Sequence, residues 1–343
     1  MKPSSTLFAV NSSGRVFSLR SDKDYKWTEL PYLGLDFKRL SATNNALWAL
    51  GGDHQIYVCI FGLEIPIRVK EETYENQRWT PVNGFSDKLL PTDRPQYSTI
   101  DGLQERQKDK IKLPTMAWQW ESPWYVDTRL DGKQLEQDGW TYAVDFPADY
   151  HPSKSFTSCV RRRKWIRYRK YIATDSWSAV PGIGKDTNEE PFIDIAIGGQ
   201  ELPNGDPDEA FVWAVTVLGK VYVRQRVTTS SPEGSGWLHI PTPDRCEVSQ
   251  ISVGPTGLVW AVTWHGKALV RLGVTRLDPT GQTWSVLDPP GSSPLSIVAV
   301  GNHVVWAVTR DKSVWFRNGI HGGGSGESEA LARGVKWVGM VSH

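Results

Sequence analysis

The residues best equipped to act on a partner lie in one stretch, Arg161-Arg-Arg-Lys-Trp-Ile-Arg-Tyr-Arg-Lys170, where seven of ten positions are basic. Guanidinium groups grip phosphates and carboxylates with paired N–H donors, and they also stack on aromatic rings. As a strand, the stretch would show Arg161, Arg163, Trp165, Arg167, Arg169 and Tyr171 on one face and Val160, Arg162, Lys164, Ile166, Tyr168 and Lys170 on the other. The first face suits a structural stack in which Arg161, Arg163 and Arg167, with Trp165, meet indoles from other strands. Trp79, Trp118, Trp120, Trp124 and Trp140 are the available rings. The second face, with Arg162 and Lys164, suits an anionic lipid surface. Nucleic acid is disfavoured, because aromatics interrupt the charge and the whole chain balances 39 basic against 38 acidic residues.

Just upstream, His151-Pro-Ser-Lys-Ser-Phe-Thr-Ser158 is a polar turn with one large apolar side chain. Phe156 could enter a lipid headgroup region while Lys154 meets phosphate, or it could fold back onto a core. Trp177-Ser-Ala-Val180, preceded by Asp175, has the acidic-aromatic form of segments that add a strand to a partner sheet, although the same residues also read as a blade strand. Catalytic constellations are wanting. The seven histidines show no metal-ligand spacing, and Gly322-Gly-Gly-Ser-Gly lacks the lysine of a phosphate loop. Asp206-Pro-Asp-Glu209 reads as a solvated tip and the Glu71-Glu72 pair as surface. No enzyme, cofactor or metal is expected.

The elements that must position these residues follow from composition and repetition. Seventeen Trp, 31 Gly and 22 Pro suit short strands and frequent turns, an all-β chain. Trp213-Ala-Val-Thr, Trp260-Ala-Val-Thr and Trp306-Ala-Val-Thr recur at spacings of 47 and 46 residues, with weaker copies at Leu7-Phe-Ala-Val and Leu47-Trp-Ala-Leu. A period of about 40 to 50 residues signals blades of a β-propeller. Each unit reads as a hydrophobic strand, a turn, an alternating strand, a Trp-led strand (Trp27, Trp237, Trp284) and a fourth strand ending in Gly. The repeat tryptophans Trp48, Trp213, Trp260 and Trp306 are expected in blade cores. The Trp-led strand of the second unit is displaced to Trp177, an excess of about 105 residues that implies an inserted domain. The expected organisation is blade 1 and the first half of blade 2 over 1–61, an insert over 62–175, and the rest of blade 2 with blades 3 to 5 over 176–343. About five blades are recognisable, and the fifth decays near its end, so the ring either closes imperfectly or the chain is an excerpt. Cys59, Cys159 and Cys246 read as reduced core or strand residues, and the absence of a long apolar run places the chain in the cytosol.

The repeat from Trp260 to Trp284 resembles the tectonin repeat. The insert resembles a dysferlin-type (DysF) domain in two halves, about 64–130 and about 138–172. The resemblance rests on Tyr74-Glu-Asn-Gln-Arg-Trp79, Trp118-Gln-Trp120-Glu-Ser-Pro-Trp124, Gly139-Trp-Thr-Tyr-Ala-Val-Asp-Phe-Pro and Cys159-Val-Arg-Arg-Arg-Lys-Trp-Ile-Arg-Tyr. The order of parts resembles tectonin β-propeller repeat-containing proteins. That resemblance implies a non-enzymatic role in autophagy and lysosome maintenance, with peripheral recruitment to damaged membranes through sphingomyelin. It makes Phe156 a departure from the Trp common at the family's membrane tip. It implies Atg8-type proteins as partners for Trp177 and Val180, and it places the region binding the Atg5–Atg12 conjugate beyond residue 343. Two rival expectations are a lectin-like propeller whose rim tryptophans stack on sugars, and a peroxisome or endoplasmic-reticulum organisation factor.

Overall fold

The computed structural model describes residues 6–21, 25–184, 190–320 and 333–340, so the Gly322 run lies outside the described residues. The chain divides into two compact units, Met1–Glu64 with Ala173–His343, and Ile65–Ile172.

The first unit is a five-blade β-propeller arrangement. Blade 1 is the three-stranded sheet of β1 (Thr6–Val10), β2 (Val16–Arg20) and β3 (Trp27–Glu29). Blade 2 joins β4 (Phe37–Ala42), β5 (Ala46–Gly51) and β6 (Ile56–Ile60) to β16 (Trp177–Ala179), which pairs with β6 across the inserted sequence. Trp48 and Trp177 therefore share one sheet. Blade 3 comprises β17 (Phe192–Gly198), β18 (Ala210–Thr216), β19 (Val221–Val227) and β20 (Gly236–Ile240). Blade 4 comprises β21 (Val248–Val253), β22 (Val259–Thr263), β23 (Ala268–Leu272) and β24 (Thr283–Leu287). Blade 5 comprises β25 (Leu295–Val300), β26 (Val304–Thr309), β27 (Val314–Asn318) and β28 (Val338–Gly339). One expectation is corrected here. The Gly-ended strands Phe192–Gly198 and Val248–Val253 do not complete the preceding blades; each opens the following one by pairing with its Trp-Ala-Val-Thr strand.

Two devices join successive blades, and a third braces the joining indole within its own blade. The Trp-led outer strand of one blade sends its indole N–H to the carbonyl that ends the previous blade's outer strand: Trp237 to Pro181, Trp284 to Pro241 and Trp337 to Asp288, at 2.8, 2.9 and 3.3 Å. In blades 3 to 5 a buried arginine of the same blade faces that indole. Arg224, Arg271 and Arg317 lie 5.3, 5.1 and 5.0 Å from the rings and donate Nε to the carbonyls of Glu233, Thr280 and Arg333. Burial pushes all three guanidinium pKa values down, that of Arg224 to about 10. At the inner-strand bulges of blades 2, 3 and 4, a side chain reaches the next blade: Arg39 pairs with Asp194, Asp194 accepts from the Ile251 amide, and Gln250 exchanges two hydrogen bonds with Val298. Trp48, Trp213 and Trp260 are at most 1% exposed, whereas Trp306 is 42% exposed and so is not the core residue its repeat position suggests.

Turn glycines are demanded where a blade abuts its successor. Gly219 and Gly266 have φ of 74° and 81°, and a Cβ there would come within 2.4 Å of Glu247 and 2.3 Å of Pro294.

The second unit is built on two long antiparallel strands, β7 (Arg68–Thr80) and β15 (Val160–Tyr171), in register from Arg78 opposite Val160 to Arg68 opposite Lys170. β8 (Gly84–Ser86) and β9 (Tyr97–Ser98) pair with β7. β10 (Trp118–Trp120), β11 (Tyr125–Asp127) and β14 (Thr141–Ala143) pair with the other edge of β15, and β12 (Arg129–Leu130) with β13 (Lys133–Gln134) forms a small hairpin.

Candidate functional site

Strand alternation sorts the basic residues of β15 into two environments. On one face the cations and rings interleave: Arg161 and Arg163 lie 4.0 and 4.5 Å from the Trp140 ring, Arg167 4.1 Å from Trp120, and Arg169 3.9 Å from Trp118. Trp120 also packs at 6.3 Å on Trp124, and Trp118 on Tyr171 at 5.3 Å. Carboxylates of β7 neutralise part of this stack. Glu75 accepts from both Arg163 Nε and Trp165 Nε1, and Glu71 takes Arg169 and Arg106. Arg161 donates twice to Gln77, and Arg167 donates to the Ser122 carbonyl.

Two details differ from the expectation. Trp79 is 42% exposed and enters none of the cation–ring contacts among the described residues, because it lies at the β8 end of β7, beyond the stacked positions. Glu71 is not a surface acid, being closed over by two arginines. Sequence reasoning passed over Glu75 and Gln77 and read Glu71 as surface, although their spacing of two to four residues on one strand was a usable signal.

The other face of β15 turns toward a cavity of about 600 Å³. Arg162 lies 3.9 Å from the Tyr150 ring and 4.9 Å from Tyr74, and donates to the Ile100 carbonyl at 3.1 Å. Lys164 forms an ion pair with Asp127 at 2.8 Å. Burial works against the Lys164 ammonium, yet the bond to Asp127 holds its pKa above the ordinary lysine value. Both cations thus face inward contacts rather than an open surface.

Phe156 is the opposite case. It stands fully exposed, at 101%, on a loop whose residues from Pro152 to Thr157 are all exposed. Local hydrogen bonds brace that loop: Ser155 N–H donates to Ser158 Oγ at 2.9 Å, and Ser158 N–H donates back to the Ser155 carbonyl. Lys154 Nζ sits 5.4 Å from the Phe85 ring, which keeps the cation beside the loop base. Trp177 packs on Phe37 with ring centres 4.4 Å apart, and Val180 is 3% exposed with its N–H on the Ile56 carbonyl. This pair belongs to blade 2, with Val180 buried and Trp177 partly buried. Of the cysteines, Cys59 is buried and Cys246 partly buried, but Cys159 is exposed just ahead of β15 rather than in a core. No group of three or more His, Cys, Asp or Glu able to hold a metal occurs among the described residues.

The fold and its repeated Trp junctions define a repeat-built β-propeller chain. A family profile described as a propeller matches residues 211–240 and 258–287, and one described as an integral peroxisomal membrane peroxin matches 36–167. The chain is 56% identical to the tectonin beta-propeller repeat-containing protein of Drosophila melanogaster, over 99% of this chain and 25% of the relative. It is 49% identical to tectonin beta-propeller repeat-containing protein 1 of Mus musculus over 99% of this chain and 28% of the relative. With the Homo sapiens protein of that name, identity is 47% over 75% of this chain and 22% of the relative. Over its own length the chain is therefore of the tectonin β-propeller repeat-containing kind. It spans only about a quarter of the length of these relatives.

Proposed function

We propose that the chain is a non-enzymatic scaffold that recognises membrane, with the propeller presenting partner surfaces and the 65–172 unit, read as a dysferlin-type domain, meeting lipid through the Phe156 loop. The observation that carries this reading is the complete exposure of Phe156 on a braced polar loop beside Lys154. An aromatic ring held in water by a stiff turn loses little conformational freedom on entering a headgroup layer, and its burial contributes about 1.5–3 kcal/mol. The resemblance to tectonin repeat proteins favours sphingomyelin as the lipid and the cytosolic face of damaged lysosomes or autophagic membranes as the place. No helix among the described residues is long and apolar enough to cross a membrane.

The test is flotation of the full chain with phosphatidylcholine vesicles, with and without sphingomyelin. The chain is expected to float with the sphingomyelin vesicles, and Phe156→Ala with Lys154→Ala to bind roughly tenfold or more weakly. Undiminished flotation of the double variant would remove the loop from the mechanism. A second reading draws on the peroxin profile over 36–167 and places the chain at peroxisomal membranes. Co-sedimentation of the tagged chain with peroxisomes rather than lysosomes would favour it.

A further inference from the structure

The cavity beside β15 shares no lining residue with the Phe156 loop, and loop docking makes no use of it. Arg94 and Arg162 both line it, and both direct guanidinium N–H groups at the same acceptor, the Ile100 carbonyl, at 3.2 and 3.1 Å. Three neighbouring cations of the strand have carboxylates: Arg163 has Glu75, Arg169 has Glu71, and Lys164 has Asp127, while Arg161 and Arg167 are stacked on Trp140 and Trp120 and bonded to Gln77 and the Ser122 carbonyl. Among the described residues no carboxylate ion-pairs with or accepts a hydrogen bond from Arg94 or Arg162; Asp101 lies near enough to feel the Arg94 charge, but its Oδ1 takes the Thr99 hydroxyl and the Leu103 N–H instead. The other charged groups of the cavity do not supply one. Asp127 is engaged by Lys164, while Asp131, Asp149 and Arg129 stand exposed at the rim. Burial pushes the Arg162 guanidinium below its usual range; Tyr150 and Tyr74 oppose that shift and the charge of Arg94 adds to it.

Two converging, half-buried guanidiniums that share one carbonyl and bond no carboxylate cost stability, and an anion entering between them offsets that cost. With one N–H of each fork on Ile100, the donors left in two planar forks still exceed what the two oxygens of one carboxylate can accept, whereas a phosphate monoester brings three terminal oxygens and up to two negative charges. The rings of Tyr74, Tyr150 and Phe146 give the cavity an apolar wall for the organic part of such a ligand. We propose that this cavity binds a phosphate monoester, its terminal oxygens held by Arg94 and Arg162. The ester belongs either to a lipid headgroup or to a soluble metabolite.

The experiment uses the full chain. Titration calorimetry measures binding of inorganic phosphate and of glycerol 3-phosphate, and flotation compares phosphatidylcholine vesicles with and without phosphatidic acid. Saturable binding of the soluble probes identifies a soluble ligand, and selective flotation with phosphatidic acid alone identifies a headgroup. In either case Arg94→Gln and Arg162→Gln should each weaken binding, or the preference for phosphatidic acid, by about tenfold. Melting temperature serves as the folding control, and Arg94→Gln should hold it, since it removes one of two like charges. Phe156→Ala separates this site from the loop: it should lower flotation overall while leaving glycerol 3-phosphate binding, or the ratio between the two vesicle types, unchanged. No saturable binding to any probe, or binding that both arginine variants leave intact, overturns the proposal.

Discussion

Blades 4 and 5 carry the same Trp-Ala-Val-Thr strand, yet its tryptophan meets two different fates. Trp260 is 0% exposed, with the Trp337 ring of the next blade set edge-on at 6.0 Å, whereas Trp306 is 42% exposed. The neighbouring positions change in step. Where Gln250 exchanges two hydrogen bonds with Val298 of the next blade, blade 5 has Ile297, 41% exposed. Where Gly266 is pressed against Pro294, blade 5 has Lys312 at φ 74°. At the other end of the unit, Trp27, the outer-strand indole of blade 1, is 46% exposed. The stabilising unit is therefore the junction rather than the blade. One repeat supplies a buried indole, a bulge side chain and a tight glycine turn, and the next supplies the ring, the backbone amide and the wall that complete them.

The sharpest way to break this comparison is to empty a completed junction. Trp260→Ala removes a ring packed on all sides and should cost about 3–5 kcal/mol in a denaturant titration. A loss below about 1 kcal/mol would mean that the junction does not carry the stability assigned to it.

Asp194 tests the polar device of the same junctions. It is held by Arg39 on one side and the Ile251 amide on the other, but burial dominates and raises its pKa from 3.8 to about 6. The folded chain thus binds this proton more tightly than the unfolded chain. The contribution to stability is greatest below pH 4, falls as pH rises from about 4 to about 6, and is constant above that, an effect on the order of 3 kcal/mol. Asp93, whose pKa is lowered, slopes the other way: burial raises it, but the Arg78 pair and the Leu90 amide outweigh burial. The informative quantity is therefore the difference between the chain and Asp194→Asn across that window. The variant should lose the falling component, and identical pH profiles would show that Asp194 ionises as an ordinary surface acid.

The spacing of the Trp-Ala-Val-Thr strands made the repeat legible, because a period near 47 residues is written in side chains that every blade must bury. The phase of the repeat was not legible. A periodic sequence has no marked origin, and only the pairing of Ile195 with Ala214 and of Ile251 with Ala261 assigns the Gly-ended strands to the following blade. Along β15, the period of two separated the stacked cations from those facing the cavity. Which charges were neutralised could not be read locally, since Glu75 lies 88 residues from Arg163 and is brought there by strand pairing alone. Arg94 escaped notice for the same reason: nothing in its own neighbourhood marks it until Ile100 and Arg162 converge on it.

The smallest expected effect lies at the uncompleted face. Among the described residues Trp306 keeps one ring contact, with Phe316 at 5.3 Å, and much of its surface remains in water. Trp306→Ser should therefore change stability by no more than about 1 kcal/mol in the same titration that reads Trp260→Ala. A loss approaching that of Trp260→Ala would mean that the face is covered in solution. Repeating the measurement over a range of protein concentrations then separates the causes. A cost that grows with concentration identifies a second copy seated on blade 5, because mass action stabilises only the associated form. A cost independent of concentration identifies a covering segment from the same chain.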